Sequence, residues 1–245
     1  MSAAARDLVR WHDLECGGYH VDADLWRELA VAAGGPVLDV GAGTGRVALD
    51  LARRGIPVTA LDAEEALLAE LSARARAEGL DVPVIVGDAR GLTAPAAFAA
   101  ILVPMQTIQL LGGGPGRAAF LARARAHLAP GGVLAAALAD ALEAYDAEHT
   151  APPLPDMGEW DGVLYASRPV AVRPDGDGVA IVRVRETVDR DGRRDAAEDV
   201  IRLDRLDPAT LEAEGAAAGF AVQARRRIAQ TPEYVGSTVV VLRAP

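Results

Sequence analysis

The chain has 245 residues, with 35 Asp+Glu against 25 Lys+Arg and a formal net charge of −10 at pH 7. Every basic residue in that count is arginine, and both lysine and asparagine are absent, a pattern that a GC-rich genome produces. Without lysine there is no Schiff base to pyridoxal phosphate and no P-loop or protein-kinase lysine; the acidic balance disfavours a nucleic-acid partner, whose phosphates need a basic face.

Cys16 is the only cysteine, which excludes an internal disulfide and a cysteine-based zinc site. The N-terminal stretch is charged where a signal peptide needs an apolar core, so a cytoplasmic protein is expected. The longest uncharged stretch, 91–116, is broken by prolines and glycines and reads as a buried strand with loops, not a membrane span.

Helical spacing covers 5–16 and 22–33, with Asp22 or Asp24 placed to cap the second helix. A short apolar run at 36–40 enters a glycine-rich turn, and 44–54 returns to helical spacing. Strand signals at 57–61 and 82–86 bracket a helix at 64–78. Residues 98–103 are continuously apolar, as a strand buried on both faces should be. A helix at 116–128 and a strand at 131–139 follow. This alternation predicts a mostly parallel sheet with helices on both faces.

After a proline-rich connector at 150–156, the period changes to three alternating runs with Asp-Gly turns at Asp177-Gly178 and Asp191-Gly192, an antiparallel meander. Its arginines (Arg168, Arg173, Arg183 and Arg185) alternate with apolar residues and read as a solvated face, with an acidic acceptor as the alternative. A helix at 208–217 opens on Pro208, and strands at 220–229 and 237–243 complete the chain.

The chemistry concentrates at 37–46, VLDVGAGTGR. Gly41, Gly43 and Gly45 sit between a strand and a helix, where missing Cβ atoms let backbone approach a ligand and exposed N–H groups favour an anionic or polar group. The dinucleotide fingerprint G-x-G-x-x-G would need glycine at position 46, which is Arg46; the third glycine comes one residue early. Asp39 lies inside the strand, and Asp62 ends the second strand 21 residues after Gly41, placed to accept both ribose hydroxyls of an adenosine moiety.

At these residues the chain resembles the class I S-adenosylmethionine-dependent methyltransferases, over roughly residues 8–140 and more loosely at the C-terminal helix and strands. The resemblance implies a Rossmann-like, seven-stranded, mostly parallel sheet, with the antiparallel insert as a lid. It divides the chain into an N-terminal helical lid (1–34), a cofactor-binding core (35–150), the insert (151–206, also the surface of a possible homodimer) and the closing helix and strands (207–245). S-adenosylmethionine is the implied cofactor. Asp39, Gly41, Ala42, Gly43, Gly45 and Arg46 would form its loop, Asp62 and Ala63 its ribose site, and Gly87, Asp88 and Ala89 its adenine bracket. Asp88 can equally cap a helix. Tyr19 is the aromatic expected to cover the cofactor; Trp11 and Trp26 read as amphipathic-helix residues.

The segment after the fourth strand, Val103-Pro104-Met105-Gln106-Thr107-Ile108-Gln109, falls beside the transferring methyl in such enzymes. It lacks the Asn/Asp-Pro-Pro-aromatic signature of amino-methyltransferases of nucleic acid and glutamine. Without asparagine, the usual Asp-Asp-Asn magnesium site is also unavailable, so no metal is expected. Pro104 and Met105 would line the cofactor, while Gln106 and Gln109 would orient a polar acceptor or cap loop backbone. His12, His20 and His149, with Asp140, Glu143 and Tyr145, are candidate bases; Glu233 and Tyr234 would lie at the pocket rim, and His127 reads as structural. The expectation is methyl transfer by direct displacement to an O or N atom of a small molecule. A cofactor-binding protein of the same fold without methyl transfer, or a nicotinamide-dependent oxidoreductase, is the alternative.

Overall fold

The computed structural model describes residues 1–139, 144–146, 154–231 and 234–245. In chain order the elements are α1 (Ala3–Cys16), α2 (Ala23–Ala33), β1 (Val37–Val40), α3 (Ala48–Arg53), β2 (Val58–Asp62), α4 (Glu65–Ala77), β3 (Val84–Val86), β4 (Phe98–Val103), α5 (Gly113–His127), β5 (Leu128–Ala139), β6 (Tyr145–Asp146), β7 (Asp156–Trp160), β8 (Val163–Asp175), β9 (Gly178–Val188), β10 (Arg194–Asp204), α6 (Pro208–Ala217), β11 (Ala221–Val222), β12 (Arg226–Ile228) and β13 (Ser237–Arg243). They form two compact units, Met1–Tyr19 with Ala141–Arg205 and His20–Asp140 with Leu206–Pro245. Helix α1 belongs to the smaller unit and α2 to the larger.

The larger unit is built on one sheet in the order β11-β13-β5-β4-β1-β2-β3, with β12 also paired to β13. Strands β3, β2, β1, β4 and β5 run parallel, and β13 joins β5 antiparallel. The central strands are buried on both faces, which is why β4 reads as an unbroken apolar run and β1 as an apolar one interrupted only by Asp39. Helix α2 lies on β4, α3 and α4 on β2, α5 on β5, and α6 on β13. Phe120 and Leu121 of α5 and Leu211 of α6 join Ile101, Leu134 and Val240 of the sheet in one core, each large side chain contributing roughly 1.5–3 kcal/mol by leaving water.

The strand expected at 220–229 is broken into β11 and β12. Val222 pairs with Leu242 and Arg226 with Val239, so three residues oppose two and one is extra, a bulge. The sheet therefore has eight strands where seven were expected. Asp22 also departs from the reading: it precedes α2, but its side chain makes no cap hydrogen bond.

In the smaller unit, the meander β8-β9-β10 gains β6 and β7 on β8, giving five strands. The first turn of the meander falls on Gly176-Asp177, one residue earlier than expected, because Asp175 pairs with Gly178. Gly178 stands inside the ladder, where a Cβ would meet the Leu203 carbonyl at 2.5 Å. The β7–β8 hairpin turns on Asp161-Gly162, both at positive φ (54° and 75°), the geometry that favours Asp-Gly in a two-residue loop.

Arg183 and Arg185 do not form a solvated face. The Glu15 carboxylate of α1 accepts from Arg185 at 2.7 and 2.8 Å and from the Ser167 hydroxyl at 2.6 Å. Arg183 reaches Asp156 at 2.6 Å, and Arg185 also reaches Asp199 at 2.9 Å. Trp11 meets Tyr165 edge-on with ring centroids 4.9 Å apart, so α1 is fixed to this sheet by both charge and aromatic packing. Arg173 stays largely exposed, 3.9 Å from Asp146, and Arg168 is exposed.

Candidate cofactor site

The glycine turn leaves the end of β1 and enters α3. Gly41, Gly43 and Gly45 all have positive φ, at 71°, 54° and 99°. Side chains are excluded there by space as well as by backbone. A Cβ at Gly41 would lie 2.5 Å from Thr107 Oγ1, and one at Gly45 would lie 2.8 Å from Leu49 and Leu71. The turn is stitched to β2 through Gly41 N–H and Ala42 N–H, both donating to the Leu61 carbonyl at 2.8 and 3.0 Å.

Asp62, ending β2, accepts from Gly43 N–H at 2.8 Å through one oxygen and from Glu64 N–H at 2.9 Å through the other. It fixes the turn against the start of α4. Each oxygen keeps lone-pair capacity for a further donor such as a ribose hydroxyl. Ala63 beside it is exposed. Gly87 N–H donates to the Asp62 carbonyl at 2.9 Å, bringing the turn after β3 next to the end of β2. Asp88 caps the short 3-10 turn that follows, accepting from Arg90 N–H at 2.8 Å. The Arg90 guanidinium, which also donates to it, holds the Asp88 carboxyl below the usual carboxylate range. Ala89 is buried behind it.

Asp39 is buried at 1% exposure, and neither of its carboxylate oxygens has a side-chain donor or a well-aligned backbone donor among the described residues. Burial pushes its carboxyl up to about 7; the Arg46 charge and the nearby Ala48 amide draw it back, and the Asp62 and Asp22 charges push further upward. Arg46, taken from the sequence as a loop residue facing the cofactor, instead directs its guanidinium to Asp22, with NH1–Oδ1 at 2.5 Å and NH2–Oδ2 at 2.8 Å. Asp22 is fully buried and also accepts from Trp26 Nε1 at 2.6 Å.

Beyond β4, Pro104 is buried and Met105 adopts a left-handed backbone with φ 54°, a strain that recurs at ligand sites. Gln106 is half-buried, and its carbonyl accepts from Gln109 N–H at 2.8 Å. Gln109, expected to orient an acceptor, is 1% exposed, and its Oε1 accepts from Ala139 N–H at 3.1 Å. It ties the turn after β4 to the end of β5, so the loop-capping alternative describes its geometry. Thr107 fills the space that Gly41 leaves open.

The remaining candidates are dispersed. His12 lies on α1 with Nδ1 4.0 Å from Asp13, and Tyr19, buried at 6%, also belongs to the smaller unit. His20 is exposed ahead of α2, and His127, at the end of α5, lies 3.5 Å from Arg123. Tyr234 donates its N–H to Thr231 Oγ1 at 3.0 Å. Asp140, Glu143, His149 and Glu233 lie outside the described residues. Asp22, Trp26 and Thr107 went unrecognised as parts of the site; the i,i+4 spacing of Asp22 and Trp26 on one helix face was the available signal. Among the described residues, no group of three or more His, Cys, Asp or Glu converges to hold a metal. No helix there is long and apolar enough to cross a membrane.

A glycine turn without Cβ atoms, a carboxylate poised at the end of β2 and an orphaned buried carboxylate in β1 suit a ligand with hydroxyls and a positive charge. Residues 37–132 match the family model of a methyltransferase domain. The structure of CalS10, an amino pentose methyltransferase from Micromonospora echinaspora with SAM bound, is similar: TM-score 0.72, 23% identity, covering 96% of this chain and 95% of that one. The sugar N-methyltransferase KedS8 from Streptoalloteichus sp. gives 0.74 at 18% identity over 98% and 92%. The glycopeptide N-methyltransferase MtfA, complexed with S-adenosylhomocysteine, gives 0.63 at 24% identity over 91% and 87%. The chain as a whole has the fold of the S-adenosylmethionine-dependent methyltransferases.

Proposed function

We propose that this protein transfers the methyl group of S-adenosylmethionine to an O or N atom of a small molecule without a metal, and that nitrogen on an amino sugar or a similar amine is the leading acceptor class. The observation that carries the cofactor assignment is the three-glycine turn clamped by Asp62 beside the unpartnered Asp39. When bound, S-adenosylmethionine supplies a methyl on a positively charged sulfur. Asp62 would hold ribose hydroxyls, Gly41 to Gly45 would lie against the backbone-facing side of the ligand, and Ala89 with Asp88 would bracket the adenine. The preference for nitrogen rests on the acceptors for which CalS10, KedS8 and MtfA are named.

Direct displacement needs alignment and exclusion of water more than acid–base chemistry. A base enters only to free a protonated amine, and His12 and His20 are the candidates we retain. Gln106 remains the candidate for orienting the acceptor. Tyr19 is kept as the aromatic cover, the cytoplasm as the location and a homodimer as the assembly, all from sequence. The oxidoreductase alternative is opposed by Arg46, whose place would need the third glycine and whose guanidinium is engaged by Asp22. Incubation with S-adenosylmethionine and a panel of amino sugars, followed by mass spectrometry, tests the proposal. A product heavier by one methylene supports it; cofactor binding without any methylated product across amines and hydroxyls would favour the non-transferring alternative.

A further inference from the structure

The charges around the glycine turn divide unevenly. Three carboxylates (Asp22, Asp39 and Asp62) and one guanidinium (Arg46) lie there, and Asp39 is within reach of the charges of the other three. Asp62 has both oxygens engaged by backbone N–H groups. Asp22 has Arg46 on two points and the Trp26 indole on a third. Asp39, between them in sequence and fully buried, has no side-chain donor on either oxygen among the described residues; the Ala48 backbone N–H draws on it, and no cation is paired with it. A cation within electrostatic reach is thus held by a different acid. A buried carboxylate left this way costs free energy that a partner would remove.

We propose that Asp22 is a positioning residue for cofactor binding: by holding Arg46 in a two-point ion pair, it keeps that cation off Asp39 and reserves the Asp39 carboxyl for the positive charge of the ligand. The inference rests on the reading of the glycine turn as the S-adenosylmethionine site. The groups facing Asp39 are Arg46, Asp22, Asp62 and the Ala48 amide, and burial sets its carboxyl at about 7, so the group is part protonated before a ligand arrives. When the ammonium of the ligand's amino-acid end arrives, the carboxyl ionises and its proton passes to the buffer. No other bond changes.

Calorimetric titration of the intact protein with S-adenosylhomocysteine tests this, run in phosphate and in Tris so that the buffer's ionisation heat counts the protons. The wild type should release nearly one proton per ligand at pH 6, about half at pH 7 and little at pH 8. Its affinity should rise about tenfold from pH 6 to pH 8. In Asp22→Asn the freed Arg46 pairs with Asp39 before binding, so proton release disappears and affinity becomes flat with pH. Trp26→Phe, which removes the other hydrogen bond to Asp22 and leaves the ion pair, keeps the proton release. A purely structural role for Asp22 would lower affinity without changing the proton count. Binding by the wild type with no buffer dependence overturns the inference whether or not Asp22→Asn folds, as does unchanged release in that variant. The absence of any binding at all three pH values would instead overturn the cofactor assignment.

Discussion

Replacing Asp39 with asparagine should make the ligand-free protein gain stability relative to wild type as pH rises. The carboxyl moves from 3.8 in the unfolded chain to about 7 when buried. The folded state therefore binds the proton more tightly, and the wild type loses stability between those two values as pH increases. Three units correspond to about 4 kcal/mol at pH 8, of which roughly 2 kcal/mol is already present at pH 5. Asparagine has no such titration, and whatever its amide costs in the same cavity is the same at both pH values. The measurable quantity is the change in the stability difference between variant and wild type: about 2 to 3 kcal/mol in favour of Asp39→Asn on going from pH 5 to pH 8. Urea unfolding of both proteins at the two pH values reads it directly. The same variant should bind S-adenosylhomocysteine poorly, since the charge that meets the ligand is gone. A stability difference that stays constant with pH, or moves in favour of the wild type, would refute the account of Asp39 as an uncompensated buried acid.

Two further outcomes follow from the geometry. Gly41→Ala combines a positive φ with a Cβ 2.5 Å from Thr107 Oγ1, so it should cost about 1–3 kcal/mol and displace the turn after β4; a thermal melt and the loss of the S-adenosylhomocysteine-induced shift check it. In the smaller unit, desolvation pushes Glu15 upward, but the hydrogen bonds from Arg185 and Ser167 and the charges of Arg185 and Arg183 outweigh it and hold the carboxyl below its ordinary 4.5. A depressed acid contributes stability that is present above that value and lost as pH falls below it. Glu15→Gln should therefore be destabilised by about 3–5 kcal/mol at pH 7, with the gap to wild type narrowing below pH 4.5, as followed by circular dichroism across an acid titration; a gap that widens in acid would contradict the assignment.

What could be read in advance was whatever depends on local pattern. β4 announced itself because a strand buried on both faces has no polar alternation to hide behind, and the three glycines did so because nothing else tolerates those φ values beside Thr107, Leu49 and Leu71. Asp62 was legible from its distance along the chain. Features set by partners distant in sequence were not. The bulge between β11 and β12 exists only relative to β13. Gln109 looked available for an acceptor because its bond to Ala139, thirty residues on, leaves no local trace. Arg183 and Arg185 alternate like an exposed face, and only the docking of Glu15 turns that face inward. Asp22 was read as a cap for the same reason: its partner Arg46 lies 24 residues away.

The central claim, that the glycine turn and Asp62 form a site for S-adenosylmethionine, is tested most directly by equilibrium binding of S-adenosylhomocysteine alongside NAD and NADP, for wild type and Asp62→Ala at pH 8. The account predicts saturable one-to-one binding of S-adenosylhomocysteine by the wild type, no binding of either nicotinamide cofactor, and loss of the S-adenosylhomocysteine signal in a folded Asp62→Ala variant. Binding of NAD or NADP alone, or binding of S-adenosylhomocysteine that Asp62→Ala leaves unchanged, would contradict it.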